Sequence, residues 1–515
     1  MRRQDIQLIA LARQGDVDAR YEAGRRYLLG AEGFPRHISS GLDYLSHPSV
    51  RGTPQAAMII TENLPLQDIL AQRQEPCLRI AAAAGVPAGQ AKLGAWLCAS
   101  SCHASDGMPW LERAAAGGHA GAAAAVAASV GRPTDARREV LQAMAGAGDL
   151  NALSIAILAA RQAIEGAAAD HIDACLQCTL ALAPVSHPEV AELVLLSLGV
   201  ARETKRPSLG IRADLVEQCL DARTARGDVD AAFTLGSALC RIDCGALPWS
   251  AIVAGANMRK GAALLLRAAD GGRDDAWPLL FRVHADHHSS VANPQMARFF
   301  LEKAATSGQV DAQRRLGAIV LRSSSSLDET EQAIHWLHEA ADKGDSFAMR
   351  LLKSLVLPVA GDEDDAATAI AALRREDPWL AARLRIARDF GLTKLEALSL
   401  DPVPALRPWG LVVGKNPFVN QVKLSAPRAV PATSPAALQN LRTAVAQFAQ
   451  LRQEMGAYEG DLRRRSVQLR RAMERYHIHD SLFFAAASSM TLESLRQGAK
   501  WAFRARVPLA AALAA

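Results

Sequence analysis

The sequence predicts an all-α fold: a solenoid of about ten helix-turn-helix repeats, then a mostly helical C-terminal region with a Pro-rich segment and room for a short β-hairpin. Three observations carry this. A frame of Leu, then Gly seven residues later, then apolar residues at four-residue steps returns ten times at intervals of 30 to 45 residues. Aromatic residues are only 5% of a chain that is 50% hydrophobic, so small and aliphatic side chains must build the core. Where the frame ends, helical spacings resume around one proline-rich stretch.

The frame aligns on Gly15, Gly52, Gly85, Gly118, Gly148, a degenerate copy at His187, Gly227, Gly272, Gly308 and Gly344. Leu8, Leu45, Leu78, Leu111, Leu141, Leu180, Leu220, Leu265, Leu301 and Leu337 precede them by seven residues. Small or apolar residues follow at Gly+4 and Gly+8, for instance Ala312 and Leu316, or Ala348 and Leu352. Residues at steps of four share one helix face, so these positions form an inward stripe. Gly24, Gly94, Gly236 and Gly317 at Gly+9 would let a neighbouring helix approach closely. The frame Gly suits a left-handed helix end, and Asp16, Asp149, Asp228 and Asp345 beside it suit the cap of the next helix. A unit of this length cannot bury its apolar face alone, so copies must stack.

This pattern resembles the Sel-one-like repeat family, a relative of the tetratricopeptide repeat, over roughly residues 1–357. The resemblance implies a right-handed α/α superhelix whose concave face holds a protein or peptide, and an adaptor or scaffold that is not an enzyme. If the tetratricopeptide analogy places the groove, Gly+3, Gly+6, Gly+10 and Gly+13 line it. Tyr21, Arg25, Asp230, Phe233, Asp311, Arg314 and Arg350 are then the candidate partner contacts.

No catalytic, cofactor-binding or metal set is expected. Cys98/Cys102 and Cys240/Cys244 share one register, and Cys77 and Cys219 stand where other copies carry Trp110, Phe300 and Trp336, which reads as buried, reduced thiols. Cys175-x-x-Cys178 with His171 has ligand-like spacing but no second pair. His284 falls at Gly+12, where Tyr27, Leu97, Leu239 or Val320 stand elsewhere; His287 and His288 continue into a polar loop. His477, His479 and Asp480 read as a loop after a long helix. Gly410 to Asn416 has the wrong spacing for a phosphate loop and lacks its Ser or Thr. No signal peptide or membrane-spanning run is visible, so a cytoplasmic protein is expected. A bacterial source is a separate expectation.

The expected domains are residues 1–357 for the repeats, 358–377 for an acidic linker, 378–435 for a helix with a Pro-rich strap or hairpin, and 436–515 for basic helices. Within the strap, Trp409 to Val413 and Phe418 to Val422 look extended. Leu441, Phe448, Met455, Leu462, Leu469 and Tyr476 stand at seven-residue steps on a long amphipathic helix, bent near Gly456 and Gly460. That seam packs inside the chain or supports self-association through 436–476. From Gln450 to Arg506, eleven Lys and Arg face six Asp and Glu, an excess equal to the net charge of +5 of the whole chain. Arg463, Arg464, Arg465, Arg470, Arg471 and Arg475 form the basic face. Nucleic acid or an anionic lipid surface is the second reading of function, not favoured over a solvated face. An enzyme site in 378–515 using the Trp409–Val422 segment is the third and weakest, since Asp401, Lys415 and Lys423 do not make a persuasive acid/base set.

Overall fold

A computed structural model describes residues 3–130, 136–148, 150–166, 169–207, 209–414, 427–455, 461–486 and 502–514. They form two compact units, Met1–Arg273 and Asp274–Ala515. In both, the recurring element is a pair of helices. Helix Leu327–Asp342, the turn at Gly344 and helix Ser346–Leu355 make one pair; helix Pro294–Thr306, Gly308 and helix Val310–Ser323 make another. The turn glycines Gly15, Gly85, Gly118, Gly148, Gly227, Gly272, Gly308 and Gly344 have φ from +81° to +108°, where a Cβ would be strained. In most copies the following residue is the N-cap of the second helix; in the Gly148 and Gly272 copies it is Asn151 and Asp275, three residues on. Asp16, Asp228 and Asp345 accept from the N–H groups of Ala19, Ala231 and Ala348 at 2.7, 3.0 and 2.8 Å. Asp149 lies outside the described residues.

The Gly+4 and Gly+8 stripe is buried in most copies, as at Ala56 and Ile60, Ala276 and Leu280, or Ala312 and Leu316. Gly+9 has a more specific task. A Cβ on Gly24 would stand 2.7 Å from Leu45 Cγ, one on Gly94 2.8 Å from Leu111 Cγ, and one on Gly317 2.7 Å from Leu337 Cγ. Each of those leucines is the frame Leu of the next copy. The residue four before it is also small: Gly41, Gly107, Gly261 and Ala333 face Gly24, Gly94, Gly236 and Gly317. The frame thus encodes a joint between consecutive copies.

The degenerate copy is in a different register from the sequence alignment. His187, aligned as the turn residue, is the N-cap of helix Pro188–Glu203, the role of Asp16 or Asp345 elsewhere, so Ser186 takes the Gly position. Counting from Ser186, Gly+4 and Gly+8 are Val190 and Val194, both fully buried, whereas Ala191 and Leu195 are only half-buried. Seven before it stands Thr179, fully buried, with its hydroxyl bonded to Cys175 O at 2.8 Å; Leu180 beside it is half-buried. The Leu position is therefore substituted once. Thr is tolerated because its hydroxyl bonds within its own helix.

Beyond the repeats, residues expected to form an acidic linker are instead a helix, Glu363–Glu376. Asp362 accepts from the Asp364 and Asp365 N–H groups, the acidic first turn suits the positive helix end, and Ala366, Ile370 and Leu373 bury the other side. Helices Pro378–Asp389 and Lys394–Ser399 follow. A three-stranded antiparallel sheet of β1 (Leu406–Arg407), β2 (Gly410–Val413) and β3 (Arg428–Pro431) comes next. Of the segment expected to be extended, Gly410 to Val413 is a strand with Leu406–Arg407 and Arg428–Pro431 as its partners, and Trp409 lies in the turn before it. Phe418 to Val422 lies outside the described residues.

The seven-residue seam falls on two helices, Pro435–Met455 and Leu462–Tyr476. Leu441, Phe448 and Leu469 are buried within the unit, Leu441 and Leu469 in one core with Leu384, Phe390 and Val430. Of the seam offered for self-association through 436–476, these three residues pack inside the unit, Leu462 and Tyr476 are half-buried, and the Met455 side chain and the bend expected at Gly456 and Gly460 lie outside the described residues. Arg428 on β3 and Glu396 on helix Lys394–Ser399 are both 2% exposed and joined by two bonds of 2.8 and 3.0 Å. Burial alone would raise the Glu396 carboxyl, but Arg428 and the Thr393 N–H and hydroxyl hold it below its usual range. The last described helix, Ala502–Ala514, packs on helices Val310–Ser323 and Ser346–Leu355.

Candidate functional site

Three of the seven candidate contacts come together beside the Gly344 turn, where the second helices of the Gly308 and Gly344 copies begin. Asp311 and Arg314 lie one turn apart at the start of helix Val310–Ser323, and Arg350 lies on helix Ser346–Leu355. Arg314 is only 4% exposed. Its guanidinium bonds to Asp311, reaches Asp345 Oδ2 of the next copy at 3.4 Å and stands 5.4 Å from the Phe347 ring centroid. Exposed Arg350 covers the same ring at 4.5 Å. Phe347 is thus flanked by two guanidinium groups, an arrangement favoured by the negative face of the ring. Arg314 acts as an internal tie between copies, and the solvent-facing groups are Asp311 and Arg350, with Phe347 half-buried beside them.

Asp230 and Phe233 hold the corresponding positions of the Gly227 copy. There the cation comes from the following turn: Arg273 Nη1 lies 2.9 Å from Asp230 and its guanidinium 5.0 Å from the Phe233 ring. Both places combine an acid at Gly+3, an aromatic ring and an Arg drawn from two consecutive copies. Tyr21 and Arg25 stand apart, in the first copy. Arg25 bonds Glu22 and Glu32, each at 2.7 Å, and Arg26 bonds the same two carboxylates. The Arg25 bond holds the Glu22 carboxyl down from about 4.5 to about 2. A folded-state value below the unfolded one stabilises above the unfolded value and is lost as pH falls through the folded one. The melting-temperature difference between wild type and Glu22→Gln should therefore be full at pH 7, shrink below about pH 4.5 and close near pH 2, followed by circular dichroism.

In three copies Gly+10 and Gly+13 are turned away from solvent: Ala95 and Cys98, Ser237 and Cys240, and Ala318 and Leu321 are all buried, whereas Glu62 and Arg282 at Gly+10 are exposed and Arg25 is half-buried. A Cβ on Gly107 or Gly261 of the next copy would stand 2.5 Å from the Cys98 or Cys240 sulfur, so these positions face the joint. Sequence reasoning missed Phe347, Asp345 and Arg273, all at frame positions Gly+1 or Gly+3. The signal was an acid, an Arg and an aromatic ring recurring at those positions of neighbouring copies.

On helix Leu462–Tyr476, Arg463, Arg464, Arg470 and Arg471 are exposed, and no ion pair holds them among the described residues. Arg465 donates to Leu398 O at 2.9 Å and Arg475 pairs with Glu376 at 2.7 Å, so these two fasten the helix. A groove of about 760 Å³ beside it is lined by Lys394, Arg463, Ser466, Arg470, Met473 and His479. Its cationic side is partly neutralised, since Lys394 pairs with Asp480 at 2.8 Å.

Cys77, Cys98, Cys175, Cys219, Cys240 and Cys244 are buried, and burial pushes the Cys98 thiol up to about 12. Cys175 lies 3.9 Å from His171 Nδ1, and exposed Cys102 ends the same neighbourhood. His284 is half-buried with its ring 5.1 Å from Phe300, while His287 and His288 are exposed. His477 ends its helix in a left-handed conformation, and His479 caps the turn Asp480–Leu482. Among the described residues no group of three or more His, Cys, Asp and Glu is placed to hold a metal ion. No described helix is long and apolar enough to cross a membrane. Lys415 and Lys423 lie outside the described residues, and Asp401 sits before a short helix at Pro402–Ala405.

No family model matches the chain, and no curated protein does. Among solved structures it is similar to a protective antigen of uropathogenic Escherichia coli strains displaying an SLR fold, at 18% identity and a TM-score of 0.27, over 92% of this chain and 95% of that one. It is also similar to a Sel1 repeat protein from Oxalobacter formigenes, at 18% identity and a TM-score of 0.25, over 68% of this chain and 89% of that one. Superpositions this loose do not define the fold, which rests on the helix pairs and joints described above.

Proposed function

We propose that the chain is a scaffold that binds a protein or peptide on the second helices of its repeats. One observation carries the reading: Phe347 flanked by Arg314 and Arg350, with exposed Asp311 beside it, combines an aromatic anchor with solvent-facing charge of both signs. Aromatic and Arg side chains in such clusters dominate protein recognition. Arg350 is the residue to change, because it is exposed and touches the ring, whereas changing Arg314 would break the tie between copies. Affinity capture from the source cells with wild type and Arg350→Glu, read by mass spectrometry, is expected to lose one set of proteins at least about tenfold, a loss of roughly 1.4 kcal/mol, with unchanged helical content. Equal retention of every captured protein would refute the assignment.

Arg463, Arg464, Arg470 and Arg471, exposed and with no ion pair among the described residues, favour a second reading, attachment to an anionic surface. Because Leu441 and Leu469 belong to the core of the unit, this is tested in the full chain and not in an isolated tail. In the same capture, changing all four to Gln should remove only ligands that salt also elutes.

A further inference from the structure

Helix Ala502–Ala514 is seated in an unusual way. A helix that only closed the end of an array would cover the last copy. This one packs on helices Val310–Ser323 and Ser346–Leu355, the second helices of two consecutive copies, and so lies across them as a bound peptide would. Its contact stripe is short and regular: Ala505, Leu509 and Ala512 are 2%, 7% and 0% exposed and join the cluster containing Leu316, Val320, Leu352 and Leu355. Val507 on the other side is 79% exposed. Asp311 and Arg350 remain uncovered.

The helix is also poor at standing alone. It has 13 residues and carries Pro508 in its interior, which removes a backbone hydrogen bond. Isolated helices of this length are marginal in water even without proline. Its helical form is therefore supplied by the surface beneath it.

We propose that the face shared by helices Val310–Ser323 and Ser346–Leu355 is a binding site for an amphipathic helix of a partner protein. The matching stripe is a small residue, Leu four residues later and a small residue three after that, and the chain's own residues 502–514 are a displaceable occupant of the site. The chain then exposes the site only when its last helix leaves. A site held closed most of the time binds its ligand more weakly by the fraction that is open.

The probe is a fluorescently labelled synthetic peptide of residues 502–515, followed by anisotropy against the full-length protein. Wild type should bind it at least about tenfold more weakly than a Leu509→Glu chain, whose own helix is lifted by a charge in its stripe. A peptide carrying the same Leu509→Glu change should bind neither, and a Val507→Glu chain should behave as wild type. If Leu509→Glu lowers the helical content of the whole chain, Leu509→Ala takes its place with a smaller gain in the same direction. Equal binding by wild type and variant, or no binding to a folded variant, would overturn the proposal. So would a wild-type dimer that Leu509→Glu converts to monomer, because the occupant would then be exchanged between copies.

Discussion

Replacing Gly107 by alanine is expected to cost about 3 kcal/mol, the upper part of the range for overpacking a well-filled interior. The added Cβ would stand 2.2 Å from Gly94 O, 2.5 Å from Cys98 Sγ and 2.7 Å from Cys98 N. Two of those atoms are backbone and cannot rotate away. Gly107 has φ −86°, so the effect is purely steric and alanine suits the local conformation. The two helices must part along their length, and Leu111 would lose its seat against Gly94. Gly52→Ala is the matched control: nothing lies within 4 Å of its added Cβ, and a change within about 0.5 kcal/mol is expected. Urea unfolding of both variants decides it; equal midpoints would mean that the copies do not depend on this joint.

The second large effect is expected at Glu396. Glu396→Ala leaves the Arg428 guanidinium 2% exposed, with Gly391 O at 3.4 Å as the bond remaining to it. Removing one partner of a buried pair costs about 3–5 kcal/mol, most of it from the stranded charge. The double variant Glu396→Leu, Arg428→Met removes both charges at similar volume and should recover most of that loss. A double variant as unstable as Glu396→Ala would show that the pair sets the geometry of β3 and not merely its own neutralisation. Thermal unfolding of the three variants separates the two outcomes.

The helix pairs were legible because each requirement of the joint repeats as a residue type at a fixed distance. Leu, Gly and Ala recur since the same helix approach recurs. The register at His187 was not legible, because Leu180 offers a leucine one position from the true site and Thr179 fills that site with a polar side chain. Burial had to decide between them. In the C-terminal region the partner of β2 was hidden for a similar reason. Arg428 in a fully buried strand contradicts composition, and it is tolerated through Glu396, far upstream in the chain. At the candidate site the frame gave Asp311, Arg314 and Arg350 individually. It could not show that Arg314 turns inward, since an Arg has the same spacing whether it reaches solvent or the neighbouring copy.

The tight joints also bear on how such a chain can grow. Gly24, Gly94, Gly236 and Gly317 lie on the trailing side of their copies, and Gly41, Gly107, Gly261 and Ala333 on the leading side of the copies that follow. No copy carries a glycine on both sides: the Gly52 copy trails with Thr61, the Gly85 copy leads with Gln74, and the Gly272 copy trails with Phe281. Duplicating or deleting one member of a couple would therefore set a half-joint against a surface not shaped for it. The tight joints tie eight copies into four couples, Gly15 with Gly52, Gly85 with Gly118, Gly227 with Gly272 and Gly308 with Gly344, so an added copy is accommodated between couples more readily than inside one.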